Sequence, residues 1–383
     1  MPPSQRRRPK DRKATIALAA AELFCARGFH NVGIEDIAKA VGITGPAIYR
    51  HFPTKQAVLA AAVEELGNAF AETVAAADGL DAAMVAILRY TLDRRSVARL
   101  YQWEGRHLPA EEQSRLAERF DAAVHALRDQ LADSRPELSK RDAATLVTAA
   151  LSVIASPSTH RASLSRSAAE RVITDCVRAV LAVDLPAPRG DGPRGHDPER
   201  LALLPRRERL LAEAVRLFHE RGYHEVGIAD IGEAAGINAS SVYTHFAGKA
   251  DLLAAAYYRA TSRLELATAE ALVDAGTPAQ ALRRLIETYV RITFDGADLT
   301  AVYVSESENL PAADRHRLRV AQRRHVETWV GLVSEVDGSE PPAAVRFRVH
   351  AALNVVTDLA RSRGASVTEE RATALVTSLL HNR

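Results

Sequence analysis

The sequence predicts an all-α protein built as two copies of one unit, each a small three-helix module followed by a larger helical domain. Three observations predict this. Residues 28–55 read GFHNVGIEDIAKAVGITGPAIYRHFPTK and residues 222–249 read GYHEVGIADIGEAAGINASSVYTHFAGK; they align without a gap, and half of the positions are identical. The period is the length of a domain, far beyond that of a solenoid unit. Apolar residues recur at helical spacing almost throughout, and no alternating strand pattern survives. A stretch dense in Pro and Gly, residues 184–205, separates the copies.

The elements follow in order. Ile16, Ala19, Ala20, Leu23 and Phe24 form one face of a first helix, and Leu210, Leu211, Ala214, Leu217 and Phe218 repeat it. Gly28 and Gly222 are expected to stop these helices in a left-handed conformation. A short second helix is expected over 34–40 and again over 228–234, followed by a tight turn at Gly42 and Gly236. A third helix starts at Thr44 or Asn238, both of which are N-cap residues. Pro46 fits the first turn of that helix, where amide donors are free anyway. Further on, YQWEGRHLP (101–109) echoes YVSESENLP (303–311), and AALSVIAS (149–156) echoes AALNVVTD (351–358). The expected domains are therefore residues 1–56 and 206–250 for the small modules, 57–183 and 251–383 for the large domains, and 184–205 for the linker.

Helix, glycine turn, helix is the geometry in which a second helix enters the major groove of DNA. The residues on that helix carry a resemblance. Ile43-Thr44-x-x-x-Ile48-Tyr49-x-His51-Phe52-x-x-Lys55 and Ile237-Asn238-x-x-x-Val242-Tyr243-x-His245-Phe246-x-x-Lys249 resemble the TetR/AcrR family of bacterial regulators. The resemblance is specific over both small modules and loose over the large domains. It implies double-stranded DNA as partner, a ligand-binding and dimerisation domain behind each module, and a bacterial cytoplasmic, nucleoid-associated location. It also implies phosphate contacts for Tyr49, Lys55, Tyr243 and Lys249, and an approach to DNA for His51 and His245.

The spacing itself assigns further roles. Thr44 and Asn238 cap a helix whose positive end favours an anion. Gly45, Pro46 and Ala47 in the first copy, and Ala239, Ser240 and Ser241 in the second, lie where base edges are read. Arg50 faces Thr244 in the alignment. Identical half-sites favour identical helices, so GPA against ASS implies an asymmetric operator or one weakened module. Plainer readings stay open: Tyr49 as core, His51 as a surface histidine, and Arg6, Arg7, Arg8, Arg12 and Lys13 as a solvated tail rather than a DNA-touching arm. Ile48 and Phe52 are read as core.

Composition narrows the rest. The chain has 383 residues, 47% hydrophobic and 26% charged, with a net charge of +2, so a nucleic-acid surface has to come from local clustering. Cys25 and Cys176 lie far apart and outside any CxxC pattern, which excludes a disulfide framework and fits a reducing cytoplasm. The basic residues ahead of ATIALAAA (14–21) resemble a short signal peptide. The matching segment ERLLAEAVRLF (208–218) lies mid-chain, however, so both read as amphipathic helices. No apolar run is long enough to span a bilayer. Gly190, Gly192 and Gly195 have GxGxxG spacing, but a helix precedes them and Pro193 removes a donor, against a nucleotide site. No catalytic triad, metal-ligand motif or cofactor signature is found, so the expectation is a non-enzyme with no catalytic residues, no metal and no cofactor.

An effector site is the least defined expectation. Tyr101, Trp103, Glu104, Arg106 and His107 cluster in the first large domain, with Tyr303, Glu306 and Glu308 in matching places in the second. Tyr289, Phe294 and Trp329 are further pocket candidates, against the alternative of ion pairs and ordinary core. The Ala-, Leu- and Val-rich helices around 143–154, 168–181, 344–356 and 369–380 suggest a four-helix seam joining the copies as a pseudo-dimer. Pairing of two whole chains is the rival. The linker of about twenty residues can span up to about 70 Å. Together these suggest a ligand-released repressor on an imperfect palindrome, with an architectural, ligand-independent DNA-binding protein as the alternative.

Overall fold

The computed structural model describes residues 9–95, 100, 104–187, 203–362 and 367–381. Among the described residues every regular element is a helix. The chain forms two compact units, Met1–Val147 with Ile154–Arg161, and Thr148–Val153 with Ala162–Arg383.

In the first unit, α1 (Pro9–Arg27), α2 (Ile34–Val41) and α3 (Gly45–Tyr49) make the small module, and α4 (Lys55–Ala75) leads out of it. Helices α5 (Leu80–Asp93) and α6 (Ala110–Ser134) pack on α4, and α7 (Lys140–Ala155) follows. The predicted apolar face closes the core: Ile16, Ala20 and Phe24 bury against Ile37, Ile48, Phe52 and Leu59. Leu100, Leu108 and Leu116 of the large domain belong to the same cluster, so module and domain share one core. Truncating a side chain such as Ile48 to Ala is expected to cost about 2–5 kcal/mol.

The second unit repeats this with α9 (Arg206–Arg221), α10 (Ile228–Ala234), α11 (Ala239–Val242) and α12 (Lys249–Val273). Then come α13 (Pro278–Asp295), α14 (Ala297–Glu306), α15 (Ala312–Val336), α16 (Pro342–Arg361) and α17 (Glu369–Leu380). Leu211, Phe218, Ile231, Val242 and Phe246 share their core with Val302, Leu310 and Leu318, the counterparts of Leu100, Leu108 and Leu116.

The second unit also holds a piece of the first copy. Helix α8 (Arg166–Leu181) packs against α16 and α17, burying Ile173, Cys176, Val177 and Val180. The repeat boundary near residue 184 is thus not the boundary of compactness, because the apolar face of α8 is covered by helices of the other copy. Just past α8, Pro186 O accepts from Arg371 Nε of α17 at 2.9 Å.

Local chemistry explains the turns. Gly42 adopts φ 71°, ψ 37°, and Gly236 φ 64°, the left-handed region that the sequence requires there. Gly222 departs from expectation. Its φ of 84° is positive, but ψ of 152° makes it extended rather than left-handed helical. Asp36 Oδ2 accepts from Gly33 N at 2.8 Å and Asp230 Oδ2 from Gly227 N at 2.7 Å, satisfying an orphan amide at the start of α2 and α10. Those amide bonds first, and then Arg27 or Arg221, hold both carboxyls below their usual pKa.

Candidate nucleic-acid interface

The third helix of each copy is the candidate groove-reading element. Val242 and Ile48 are fully buried and fix its inner face. Tyr49 is 55% and Tyr243 58% exposed, so neither is core, and both hydroxyls are free to reach an outside partner. Pro46, Arg50, Ser240, Thr244 and His245 are exposed, while Ala47, His51, Ala239 and Ser241 are half-buried.

The two amino ends are built differently. Asn238 caps α11 as expected, its Oδ1 accepting from Ser241 N at 2.9 Å and from Ser240 Oγ at 2.9 Å. Thr44 stands at the N-cap of α3 with an extended backbone, but its hydroxyl makes no capping bond, which corrects the expected capping role. Gly45 is buried, and a Cβ built on it collides with the Glu35 carboxylate. Gly45 therefore serves as the seat of Glu35. The second copy has Ala229 and Ala239 at these two places. Behind the turn the exchange runs the other way. Gly232 stands where the first copy has Ala38, and a Cβ on Gly232 would lie 2.6 Å from Ile237 O.

Lys55 and Lys249 hold the module together from within. Lys55 Nζ donates to Phe29 O at 2.9 Å and Val32 O at 3.1 Å, and lies 4.2 Å from the centre of the Phe29 ring. Lys249 Nζ donates to Tyr223 O at 2.6 Å and Val226 O at 2.8 Å, and lies 4.3 Å from the Tyr223 ring centre. Desolvation lowers both ammonium pKa values, opposed by the charge of Glu104 or Glu306. Two of the three N–H donors of each ammonium are thus spent on the loop between the first two helices.

Glu104 and Glu306 hold that same loop from the other side. Glu104 Oε2 accepts from Phe29 N at 3.0 Å, and Glu306 Oε1 accepts from Tyr223 N at 3.3 Å. Both are buried, at 6% and 1% exposure. His107 Nε2 lies 3.5 Å from Glu104 Oε2, and its ring stacks on Phe29 at 5.0 Å. In the second copy Asn309 takes that place and donates to Glu306 Oε2 at 2.7 Å. Glu104, His107 and Glu306, expected at an effector pocket, tie the large domain to the small module. Sequence reasoning missed this role, although one signal pointed to it: Glu recurs at the same place in EGRHLP and ESENLP.

The other effector candidates divide. Tyr101 and Trp103 lie outside the described residues, as do the side chain of Arg106, the basic arm at Arg6 to Arg8 and the glycines of the linker. In the second copy Tyr289, His325 and Trp329 form one aromatic cluster, with Trp329 Nε1 donating to His325 Nε2 at 2.9 Å. Burial pushes the His325 pKa down to about 4. Tyr303 packs edge-on to Tyr257 and donates to Gln322 Oε1 at 3.2 Å. The first copy carries Ala123 and Leu127 where the second has His325 and Trp329. No cluster of metal-binding side chains occurs among the described residues, and no described helix is long and apolar enough to cross a membrane.

Comparison with known proteins bears on both copies. Residues 16–62 and 210–256 each match the model described as bacterial regulatory proteins, tetR family. Residues 275–379 match a tetracyclin repressor-like C-terminal domain. The HTH-type transcriptional activator FasR of Mycolicibacterium smegmatis is 33% identical over 154 residues, covering 40% of this chain and 68% of FasR. The HTH-type transcriptional repressor KstR2 of Rhodococcus jostii is 32% identical over 111 residues, covering 26% of this chain and 53% of KstR2. Among solved structures, the regulator PfmR from Thermus thermophilus is 25% identical with a TM-score of 0.42, covering 47% of this chain and 98% of that one.

Proposed function

The chain belongs to the TetR family of DNA-binding transcriptional regulators, and from that premise we propose that one chain occupies one operator with its own two modules and is released by a small molecule. The observation that carries this reading is the buried carboxylate tie found twice. Glu104 and Glu306 each run from a large domain to the first loop of a DNA module, so a rearrangement inside the domain reaches that loop through one hydrogen bond. A ligand that binds better when that tie is displaced lowers DNA affinity by its differential affinity for the two states.

Several features support single-chain occupancy. Both modules are complete, and α8 of the first copy packs on α16 and α17 of the second. The family partner is double-stranded DNA, and the exposed sets Pro46, Tyr49, Arg50 and Ser240, Tyr243, Thr244, His245 are the proposed contacts, with Ala47, His51, Ala239 and Ser241 at their margins. Because these sets differ, the operator is an imperfect palindrome. The relatives' names include both an activator and a repressor, so activation is the second reading of the sign of control.

Selection of sites from random DNA, followed by sedimentation of the complex, tests the proposal. The expected result is two unlike half-sites about one helical turn apart and a single chain per site. Screening small molecules for thermal stabilisation of the protein then identifies effectors, which should weaken binding to the selected site. A perfect palindrome, or two chains on each site, would overturn single-chain occupancy. Stabilising ligands that leave DNA affinity unchanged would favour an architectural protein.

A further inference from the structure

The echo between AALSVIAS and AALNVVTD makes Ser152 the counterpart of Asn354, and Ser156 the counterpart of Asp358. In the second unit Ser152 meets its counterpart Asn354, together with Asp358. Asn354 Nδ2 donates to Ser152 O at 2.8 Å, to Ser152 Oγ at 2.8 Å and to Asp358 Oδ2 at 3.1 Å. Ser152 Oγ donates to Asp358 Oδ2 at 2.5 Å. Ser152 and Asn354 are buried, and the Asp358 side chain is 11% exposed with Arg361 Nη1 at 4.0 Å. A residue that faces its own counterpart marks the axis of a two-fold seam. Here the two counterparts are chemically unlike.

We propose that Ser152, Asn354 and Asp358 form a polar key that makes the first copy the preferred partner of the second, in place of a like copy from another chain. The inference rests on the single-chain reading above. A seam of two second copies would set Asn354 against Asn354 and bring two Asp358 carboxylates together in a nearly closed site. Like charges with little solvent are a strong penalty against that pairing. A seam of two first copies would set Ser152 against Ser152 and Ser156 against Ser156, leaving empty the volume that Asn354 now fills. Only the unlike pairing gives the carboxylate a hydroxyl donor and an amide donor at once. Ala149, Ala150, Val153, Ala351, Ala352 and Val355 are buried, and the repeat places like residues at matching positions, so the apolar part of the seam distinguishes copies poorly. Discrimination therefore falls to the polar set.

A cleavable site placed in the linker of the full chain tests this. Light scattering on the intact chain comes first, and a mass of one chain is expected; a mass of two overturns the single-chain reading without touching the key. After cleavage, native mass spectrometry should show unlike pairs of halves in at least about tenfold excess over like pairs. In Asn354→Ser/Asp358→Ser the excess should fall to the statistical twofold. Asp358→Asn, which keeps shape and removes charge, should raise pairs of second halves alone and guards against a misfolded double variant. Statistical pairing in the unaltered protein, or an excess unchanged in both variants, would overturn the key.

Discussion

At the amino end of the third helix, the first copy lays a carboxylate over a glycine and the second copy sets two alanines. Glu35 and Gly45 change together into Ala229 and Ala239, so bulk is conserved while a negative charge is gained or lost. The residues that build the module do not vary this way. Asp36 and Asp230, Lys55 and Lys249, and Glu104 and Glu306 make the same bonds to the same backbone groups in both copies. The difference teaches which positions are scaffold and which are free to specialise: groups that satisfy loop amides and carbonyls stay, and groups that face outward or fill a domain interior change.

The largest expected effect falls on the scaffold. Glu306→Ala strands Tyr223 N and the Asn309 amide and removes the charge opposite Lys249, a loss of about 3–5 kcal/mol. Glu104→Ala should cost less, about 2–3 kcal/mol, because the stack of His107 on Phe29 survives. Urea unfolding with copy-resolved hydrogen exchange measures both, and equal losses would remove the distinction between His107 and Asn309.

His325 sharpens the comparison next. Its pKa of about 4 lies below the ordinary 6.5, so between these values the unfolded chain binds the extra proton and the folded one does not. Stability is full above about pH 6.5 and falls as pH drops towards 4, by about 3 kcal/mol in total. The loss should sit in the second copy, since the first carries Ala123 there, and His325→Gln should flatten it. Thermal melting of the two proteins across that pH range is the measurement; parallel curves would contradict the assignment.

The lysines predict a smaller and symmetrical loss. Lys55→Met and Lys249→Met should each cost about 1–3 kcal/mol of stability, with the salt dependence of DNA binding unchanged. A fall of about 1 in the salt slope, found in DNA titrations at several salt concentrations, would instead support the phosphate contact that the resemblance implies. The smallest effect tests the paired exchange. Gly45→Ala should cost about 1 kcal/mol in DNA affinity at the selected operator and nearly nothing once Glu35 is Ala. Additive costs would mean that Glu35 and Gly45 act separately.

Much of the fold was legible because its signals are periodic or conformational. The apolar faces beginning at Ile16 and Leu210 fall where helices lie, and Gly42 and Gly236 sit at turns that only a left-handed residue closes without strain. The site was legible where exposure follows from helical phase, as at Tyr49 and Tyr243. It was not legible where a charged side chain turns inward to backbone atoms distant in sequence. Lys55 and Glu104 look like surface charges in a sequence, and only the folded loop at Phe29 shows that both are spent on it. Nor does a sequence reveal that α8 finds its cover in the other copy, since its apolar stripe suits any partner helix.

That last feature sets an order on how the protein is made. The apolar face of α8 is synthesised about 200 residues before the end of α17, which helps to cover it. At a synthesis rate of about 5–20 residues per second, the face waits roughly 10–40 s. During that interval Ile173, Val177 and Val180 are exposed to every other nascent chain nearby. Helix α8 therefore stays uncovered until α16 and α17 have been made, whereas the first module closes its own core within the first unit. A truncated translation product would carry one DNA-reading module and an uncovered helix, a form that holdase chaperones and proteases recognise readily.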